Sequence, residues 1–273
     1  MYLKYVKIMH LNIALNYHYD KYFKNNLEKY EIPEKPKDID YEIKVSFTSD
    51  LNKYQHQNFE IFSKTTDGRI QSGIMISDSL YHVYILKDVF QDEANIEYVY
   101  MGVAFLKIAL KEKMFPLHAS TILYKNEAIA FSGPSKTGKS THTSLWEKYI
   151  KNSIKLNDDK TMLTMDDHHV YAHGIPFSGA KSINLNKEVK LKAIVFLKQA
   201  KENKIYKVKP ELATIELAKN IYQPSNVDQW QTIFTQIEKI INQIPIYTLA
   251  CDISEEAVNK AYQAIYKGEI DEN

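Results

Sequence analysis

The stretch FSGPSKTGKST, which begins at residue 131, constrains the fold of this chain more than any other feature. Gly133, Gly138, Lys139 and Ser140 satisfy the pattern G-x-x-x-x-G-K-[ST]. The apolar run AIAF directly precedes the pattern, and the helix-like segment STHTSLWEKY overlaps its end and continues beyond it. In this context the glycines let the turn curl so that its amide N–H groups point at phosphate oxygens. We therefore predict a strand, a phosphate-binding loop and a helix in succession.

We call residues 133–141 the glycine loop. Lys139 can reach the β- and γ-phosphates of a nucleotide, and the Ser140 hydroxyl can bind Mg²⁺. The remaining candidate nucleotide contacts are Gly133, Pro134, Ser135, Lys136, Thr137, Gly138 and Thr141. The alternative is a glycine turn without a ligand, which the flanking strand and helix disfavour.

A pair of acids follows about twenty residues after the loop. The segment KLNDDK reads as a short strand that ends in Asp158 and Asp159, with Lys160 next to compensate their charge. Because strand ends converge on the ligand crevice of an α/β sheet, we expect these carboxylates to face the glycine loop. The alternative is a solvated acid pair in a turn.

The amino-acid composition limits the classes of partner that the chain is expected to bind. The 273 residues carry a formal net charge of +1, which does not indicate nucleic-acid or membrane binding. One cysteine excludes an internal disulfide and fits a cytoplasmic protein, and no apolar run approaches the roughly 20 residues that span a bilayer. Arg69 is the only arginine, so anion binding has to rely on lysine, backbone amides or a metal.

The residue pattern differs between the N-terminal and C-terminal parts of the chain. Residues 1–90 are rich in β-branched and aromatic residues, with Asp67-Gly68 as a hairpin turn, and predict a smaller β-rich N-terminal region. Residues 91–114 read as a linking helix, and 115–273 as the domain that contains the glycine loop. Strands interleaved with helices in that domain predict a three-layer α/β fold with a mixed sheet.

Three further features of the sequence are less specific. The segment DDHHVYAH could be a metal cluster, but an exposed hairpin tip is the favoured interpretation. His142, one helical turn past the loop, could contact nucleotide or be a packed or surface side chain. Cys251 lies in a buried-looking strand and is expected to be inert.

The blocks LHAS, FSGPSKTGKSTHTSLW, LNDDK, GIPFSG and LKAIVFL occur in an order that resembles the HPr kinase/phosphorylase catalytic domain. The resemblance extends to smaller bacterial relatives described as phosphoenolpyruvate-carboxykinase-like, and it covers residues from about 115 to 268. It implies the carboxykinase-type P-loop fold, ATP and Mg²⁺ as cofactors, and self-association, since HPr kinases are oligomers.

The same resemblance implies roles for individual residues. His118 would lie near the transferred phosphate, Asp158 would act as the general base, and Asp159 would bind the metal with Ser140. Ser178 and Gly179 in GIPFSG would lie on the acceptor side. Lys181 could supply positive charge there, where arginine is missing.

Two departures narrow the expected activity. Thr141 stands where the bifunctional enzymes carry an acid, and a downstream arginine is absent, so neither phosphorylase activity nor HPr as substrate is expected. The prediction is an ATP-dependent kinase that transfers the γ-phosphoryl group to a hydroxyl, serine-type, of a protein, peptide or small molecule. The alternative is a nucleotide-binding sensor or regulatory protein without phosphotransfer, with at most slow ATP hydrolysis.

Overall fold

A computed structural model describes residues 1–54, 58–179, 182–224 and 226–271 of the chain. It separates into two compact units, Met1–Ile108 and Ala109–Asn273. The boundary falls within the helix Glu93–Lys111. In the part of the chain that the structure describes, no helix combines the length and the apolar character needed to cross a bilayer.

The N-terminal unit contains a seven-stranded mixed sheet in the order β3-β1-β2-β4-β7-β6-β5. Its elements are β1 (Tyr2–Ile8), β2 (Leu11–Tyr17), α1 (Lys24–Leu27), β3 (Glu31–Ile32), β4 (Tyr41–Thr48), a 3₁₀ turn (Asn52–Tyr54), β5 (Phe59–Lys64), β6 (Ile70–Ser77), β7 (Leu80–Leu86) and most of α2 (Glu93–Lys111). The predicted β-rich character of this region is confirmed.

Period-two alternation explains why these segments form strands. In β4, Tyr41, Ile43 and Val45 are buried, while the residues between them are partly exposed. The predicted hairpin is also present, since β5 and β6 pair antiparallel around a turn in which Gly68 has φ +87°. That conformation favours glycine because it has no Cβ.

The C-terminal unit alternates strands with helices, and its longest strand has 12 residues. Its elements are β8 (Phe115–Leu117), β9 (Ala119–Tyr124), β10 (Glu127–Ser132), α3 (Lys139–Tyr149), β11 (Ile154–Asn157), β12 (Thr161–Met165), β13 (Val170–His173), β14 (Glu188–Gln199), β15 (Lys204–Lys207), α4 (Pro210–Lys219), α5 (Val227–Gln243), β16 (Ile246–Cys251) and α6 (Glu255–Lys267).

The strands of this unit form one mixed sheet. One path runs β11-β9-β10-β14-β13-β12-β8, and β16 and β15 extend from β14. The neighbours β10, β14 and β16 are parallel, whereas β9 pairs antiparallel with β10 and β13 with β14. The prediction of an α/β unit with a mixed sheet is therefore confirmed.

Both faces of this sheet are buried, which gives three layers. Along β10, Ala128 and Ala130 pack in a cluster that includes residues of α4 and α5. Their neighbours Ile129 and Phe131 pack in a second cluster, with residues of α3 and α6. A strand buried on both faces reads as a continuous apolar run, which is the pattern that precedes the glycine loop.

Candidate functional site

The glycine loop connects the end of β10 to the start of α3, as the sequence predicts. Gly133 and Gly138 have φ of +143° and +98°, conformations that favour glycine. A Cβ added at Gly133 would lie 3.3 Å from the carbonyl oxygen of Leu197 and 3.2 Å from Oγ1 of Thr137. The close approach of these atoms and the backbone conformation thus both favour glycine at position 133.

Hydrogen bonds hold the rest of the loop in a fixed curl. The Thr137 hydroxyl donates to the Pro134 carbonyl at 2.8 Å, and the Gln199 amide donates to the Lys136 carbonyl at 3.0 Å. Pro134 and Lys136 have exposed side chains, as do Ser135 and Thr141. The loop therefore exposes these four residues to solvent, while hydrogen bonds to its carbonyls support its backbone conformation.

Lys139 lies at the centre of the site and is only 7% exposed. Its ammonium donates to the carbonyls of Gly133 at 2.8 Å and Pro134 at 3.0 Å. Burial lowers the pKa of Lys139, and the nearby charges of Asp159 and Asp158 oppose that shift. Within the described residues, the hydrogen bonds of this buried ammonium go to carbonyl oxygens, and it is well suited to exchange those bonds for phosphate oxygens.

Ser140 and Asp158 form a direct pair. The Ser140 hydroxyl donates to Oδ1 of Asp158 at 2.8 Å, and Asp158 is 5% exposed. Asp158 follows the end of β11, so the sheet brings this acid to the first turn of α3. The expectation that an acid faces the glycine loop thus corresponds to an observed contact.

Asp159 has different partners. Its Oδ1 lies 3.3 Å from Nε2 of His118, and its Oδ2 accepts from the Lys160 ammonium at 2.7 Å. The contact with the His118 ring, together with Lys160, holds the pKa of Asp159 well below its usual range, against the opposing effect of burial. The lowered pKa keeps this carboxylate anionic, and the Asp159 side chain is 40% exposed and therefore accessible.

The backbone separates the two neighbouring acids. Asp159 has φ +71°, which an aspartate adopts only at some cost in energy. The turn directs Asp158 toward Ser140 and Asp159 toward His118. These contacts favour the reverse of the roles assigned from the resemblance, with Asp158 on the metal side and Asp159 on the acceptor side.

The predicted acceptor-side segment also reaches Asp159. A Cβ built on Gly179 would lie 3.6 Å from Cβ of Asp159, so the backbone of Gly179 passes beside that residue. Ser178 is 1% exposed and accepts a hydrogen bond from the Asn184 amide at 3.1 Å. Lys181 lies outside the described residues.

Two buried residues that the sequence did not single out support the site. Lys155 donates to the carbonyl of Ser140 at 3.2 Å and to the Ser144 hydroxyl at 2.8 Å, which fixes the first turn of α3. The Asn157 amide accepts from the N–H of Ile175 at 3.1 Å and donates to the Lys160 carbonyl. The sequence pattern that could have identified Lys155 and Asn157 is the presence of polar residues within a short, otherwise apolar strand, IKLN.

The remaining residues that the sequence singled out lie apart from the phosphate and metal contacts or are packed in the core. Asp166 accepts from the N–H groups of His168 and His169, so the DDHH segment is a hairpin tip, and no group of three metal-ligating residues occurs among the described residues. His142 is 3% exposed and packed in the core. Burial raises the pKa of the Cys251 thiol to about 11, which keeps it protonated.

The oxygen atoms at the loop fit a magnesium ion. Two adjacent ligands of an octahedral Mg²⁺ with bonds of about 2.0–2.1 Å are separated by about 2.9 Å, and Ser140 Oγ lies 2.8 Å from Asp158 Oδ1. Mg²⁺ usually binds one or two protein oxygens and completes its shell with phosphate and water. Ser140 and Asp158 are therefore the residues that would hold it.

A family model described as "ScmC: SynChlorMet cassette protein ScmC" matches residues 85–265, which is more than half of the chain. The chain belongs to the ScmC family. The matched range includes the glycine loop, both aspartates and His118.

The chain is also similar to a solved structure, the HPr(Ser) kinase/phosphatase from Coxiella burnetii, at 11% identity. The likeness covers 56% of this ScmC-family chain and 93% of that one, with a TM-score of 0.31. At that TM-score it adds nothing to the contacts described above. No curated protein matches the chain.

Proposed function

We propose that this chain is an ATP-dependent kinase that transfers the γ-phosphoryl group to a hydroxyl of a protein, peptide or small molecule. The observation that carries the proposal is the Ser140–Asp158 hydrogen bond of 2.8 Å at the end of the glycine loop. It joins a hydroxyl and a carboxylate in the pair that nucleotide-bound Mg²⁺ requires, next to a buried lysine.

Each residue has a defined part in the proposed reaction. The amides of the glycine loop and Lys139 would bind the phosphates, while Ser140 and Asp158 would hold Mg²⁺. The metal, when bound, neutralises charge on the β- and γ-phosphate oxygens. Since catalysis of phosphoryl transfer is mostly positioning and charge stabilisation, this arrangement would supply most of what the reaction needs.

Asp159 would orient the acceptor. The acceptor oxygen bonds to the γ-phosphorus, the bond from that phosphorus to the β–γ bridging oxygen breaks, and ADP leaves. The hydroxyl proton passes to Asp159. His118 and Lys160 hold the pKa of Asp159 low, so it is a weak base and would take the proton late, after the hydroxyl has been oriented.

The test supplies γ-labelled Mg·ATP with a nucleotide-depleted cell extract as the source of hydroxyl acceptors, and measures ATP binding and transferred label separately. We expect Asp159→Asn to lower transfer at least about 100-fold and to leave ATP affinity within about threefold of wild type. Asp167→Asn is the matched control, because Asp167 is 89% exposed at the hairpin tip.

The results separate this function from the alternative, a nucleotide sensor. Binding of Mg·ATP without label transfer, with at most slow ADP formation, would favour the sensor, whereas no binding of Mg·ATP would refute both. The accessible Asp159–His118 pair favours the kinase, because a sensor needs one carboxylate for its metal and has no use for a second beside an acceptor position.

A further inference from the structure

A cavity of about 450 Å³ lies against the first half of the glycine loop, from Gly133 to Thr137. Its other walls are the end of β14, from Phe196 to Gln199, and Glu216 on α4. The volume is within the range of about 300–1,000 Å³ that small-molecule sites have in proteins. The contacts proposed for the phosphates and the metal do not use Glu216 or the end of β14, so the cavity can hold a further ligand.

The cavity adjoins the end of the loop where the transferred phosphate would bind. The lysine of such a loop reaches the β- and γ-phosphates, and the Lys139 ammonium donates to the carbonyls of Gly133 at 2.8 Å and Pro134 at 3.0 Å. Both of those residues line the cavity. A ligand in the cavity would therefore lie beside the γ-phosphate, where an acceptor has to approach.

The last turn of α4 connects the cavity with His118 and Asp159. The Asn220 side-chain amide donates to the Glu216 carbonyl at 2.8 Å. The Asn220 carbonyl accepts from the His118 N–H at 2.8 Å, and His118 Nε2 lies 3.3 Å from Asp159. Glu216 and Asn220 are about 6 Å apart along the helix axis. A single acceptor can therefore extend from Glu216 toward the carboxylate that would orient its hydroxyl.

Glu216 gives the cavity a negative charge that the described part of the chain does not pair. Its carboxylate has no hydrogen bond or ion pair among the described residues. Lys136 and Lys198 also line the cavity, but both are exposed and neither pairs with Glu216. A carboxylate repels a triphosphate bound beside it. A positively charged group on the acceptor would bind the carboxylate and relieve this repulsion.

We propose that this cavity binds the acceptor, and that the acceptor carries a positively charged group, an ammonium or a guanidinium, close to the hydroxyl that is phosphorylated. This proposal rests on the proposed function, because it assumes phosphoryl transfer from a nucleotide on the glycine loop. Glu216 would bind the positive group while the hydroxyl lies at Asp159. The enzyme would then prefer basic peptides or amino alcohols to neutral and acidic acceptors.

The test measures label transfer from γ-labelled Mg·ATP to a nucleotide-depleted cell extract. The extract is used untreated, after acetylation of its amines, or after butanedione has blocked its guanidinium groups. We expect one of the two blocking reactions to lower transfer by wild type at least about tenfold. Glu216→Gln should lower transfer to untreated extract at least about tenfold, and blocking should then change it less than about twofold. Separation of the labelled products by size assigns the positive group to a peptide or protein, or to a small amino alcohol.

Glu211→Gln is the matched control, because Glu211 is an exposed residue of the same helix that does not line the cavity. It should transfer label as wild type does, with the same sensitivity to blocking. Calorimetry provides a second readout for Glu216→Gln. Its ATP affinity should equal or exceed that of wild type, because the variant removes a negative charge near the phosphates.

The outcomes distinguish this proposal from the proposed function. The acceptor proposal is overturned if neither blocking reaction lowers transfer by wild type, or if blocking lowers transfer by wild type and by Glu216→Gln to the same extent. It is also overturned if Glu216→Gln weakens ATP, because the cavity would then belong to the nucleotide. A wild type that binds Mg·ATP but transfers no label to untreated extract would instead refute the kinase function, and the acceptor proposal with it.

Discussion

The two units of the chain each bury a lysine almost completely, but the two lysines have different partners. Lys107 in the N-terminal unit is 6% exposed and donates to both carboxylate oxygens of Glu60 at 2.7 Å. Lys139 in the C-terminal unit is 7% exposed, donates to two backbone carbonyls, and forms no ion pair within the described residues. One charge is neutralised within the fold, and the other is available to an anion.

Buried acids differ between the units in the same way. Glu97 is fully buried and accepts from the backbone N–H groups of His18 and Tyr19 and from the His18 ring. Asp158, 5% exposed, accepts from the Ser140 hydroxyl. Burial of a charged group therefore identifies a binding site only where the surrounding chain leaves its bonding capacity incomplete.

The two lysines give the largest expected difference. Lys139→Met should weaken Mg·ATP at least about 100-fold, because it removes a buried charge-assisted contact to phosphate. Its unfolding free energy should change little, since no ion pair is lost. Lys107→Met should leave ATP affinity unchanged and cost about 1 kcal/mol of stability, because Glu60 is 46% exposed and its pairing is partly screened. Calorimetry and thermal unfolding measure both. Equal loss of ATP affinity in the two variants would show that the two lysines do not differ in function.

Substitution of the two buried acids, Asp158 and Glu97, should give the next largest difference. Asp158→Ala should weaken Mg·ATP about tenfold while ATP without metal binds as in wild type. Glu97→Ala should lower the unfolding free energy by about 2–3 kcal/mol, since it leaves two backbone N–H groups buried without an acceptor. Titrations at several Mg²⁺ concentrations separate the two results. If Asp158→Ala weakens ATP binding equally with and without Mg²⁺, Asp158 does not hold the metal.

A pair of histidines extends the contrast between the units to pH. His82 has a partner on each ring nitrogen, Ser46 and Tyr84, both at 2.9 Å, whereas His142 has a partner only at Nε2 among the residues that the structure describes. Burial lowers the pKa of His82 to about 4 and of His142 to about 3. Both values lie below the unfolded value of about 6.5, so the unfolded chain binds protons first and stability falls as the pH drops below about 6.5.

His142→Phe should therefore flatten the dependence of the unfolding free energy on pH. Between pH of about 6 and 5, the slope should decrease by about 1 kcal/mol per pH unit, even if the variant is less stable throughout. Denaturant titrations across that range measure the slope, with His82→Phe as the variant from the other unit. An unchanged slope in His142→Phe would show that this ring is already protonated when folded.

Two glycines give the smallest effect. Gly68 in the N-terminal hairpin and Gly138 in the glycine loop have φ of +87° and +98°, and a Cβ added at either position would meet no atom within 4 Å. Alanine should cost about 1 kcal/mol at either position, from backbone strain alone. Only Gly138→Ala should also weaken Mg·ATP, because it shifts the amides of the loop. Calorimetry measures the ATP affinities of the two variants. Equal affinities would show that the glycine loop does not take part in nucleotide binding.

The sequence predicts the fold where local pattern determines it. The apolar run before Gly133, the helix after it and the strand before Asp158 all lie where the pattern indicated. The partner of each aspartate could not be predicted, because neighbouring residues in a turn share every local signal and are distinguished only by the φ of +71° at Asp159. Lys155 depends on tertiary packing in the same way, since only the folded sheet brings it beneath Ser140.

The most direct test of the glycine loop as a metal–nucleotide site is a crystal structure of the chain with Mg²⁺ and a non-hydrolysable ATP analogue. We predict that the metal binds Ser140 Oγ, with Asp158 on the metal or one water away. We also predict that the Lys139 ammonium leaves the carbonyls of Gly133 and Pro134 for phosphate oxygens. A triphosphate bound elsewhere, or Lys139 still on those carbonyls with no metal near Ser140, would contradict both predictions.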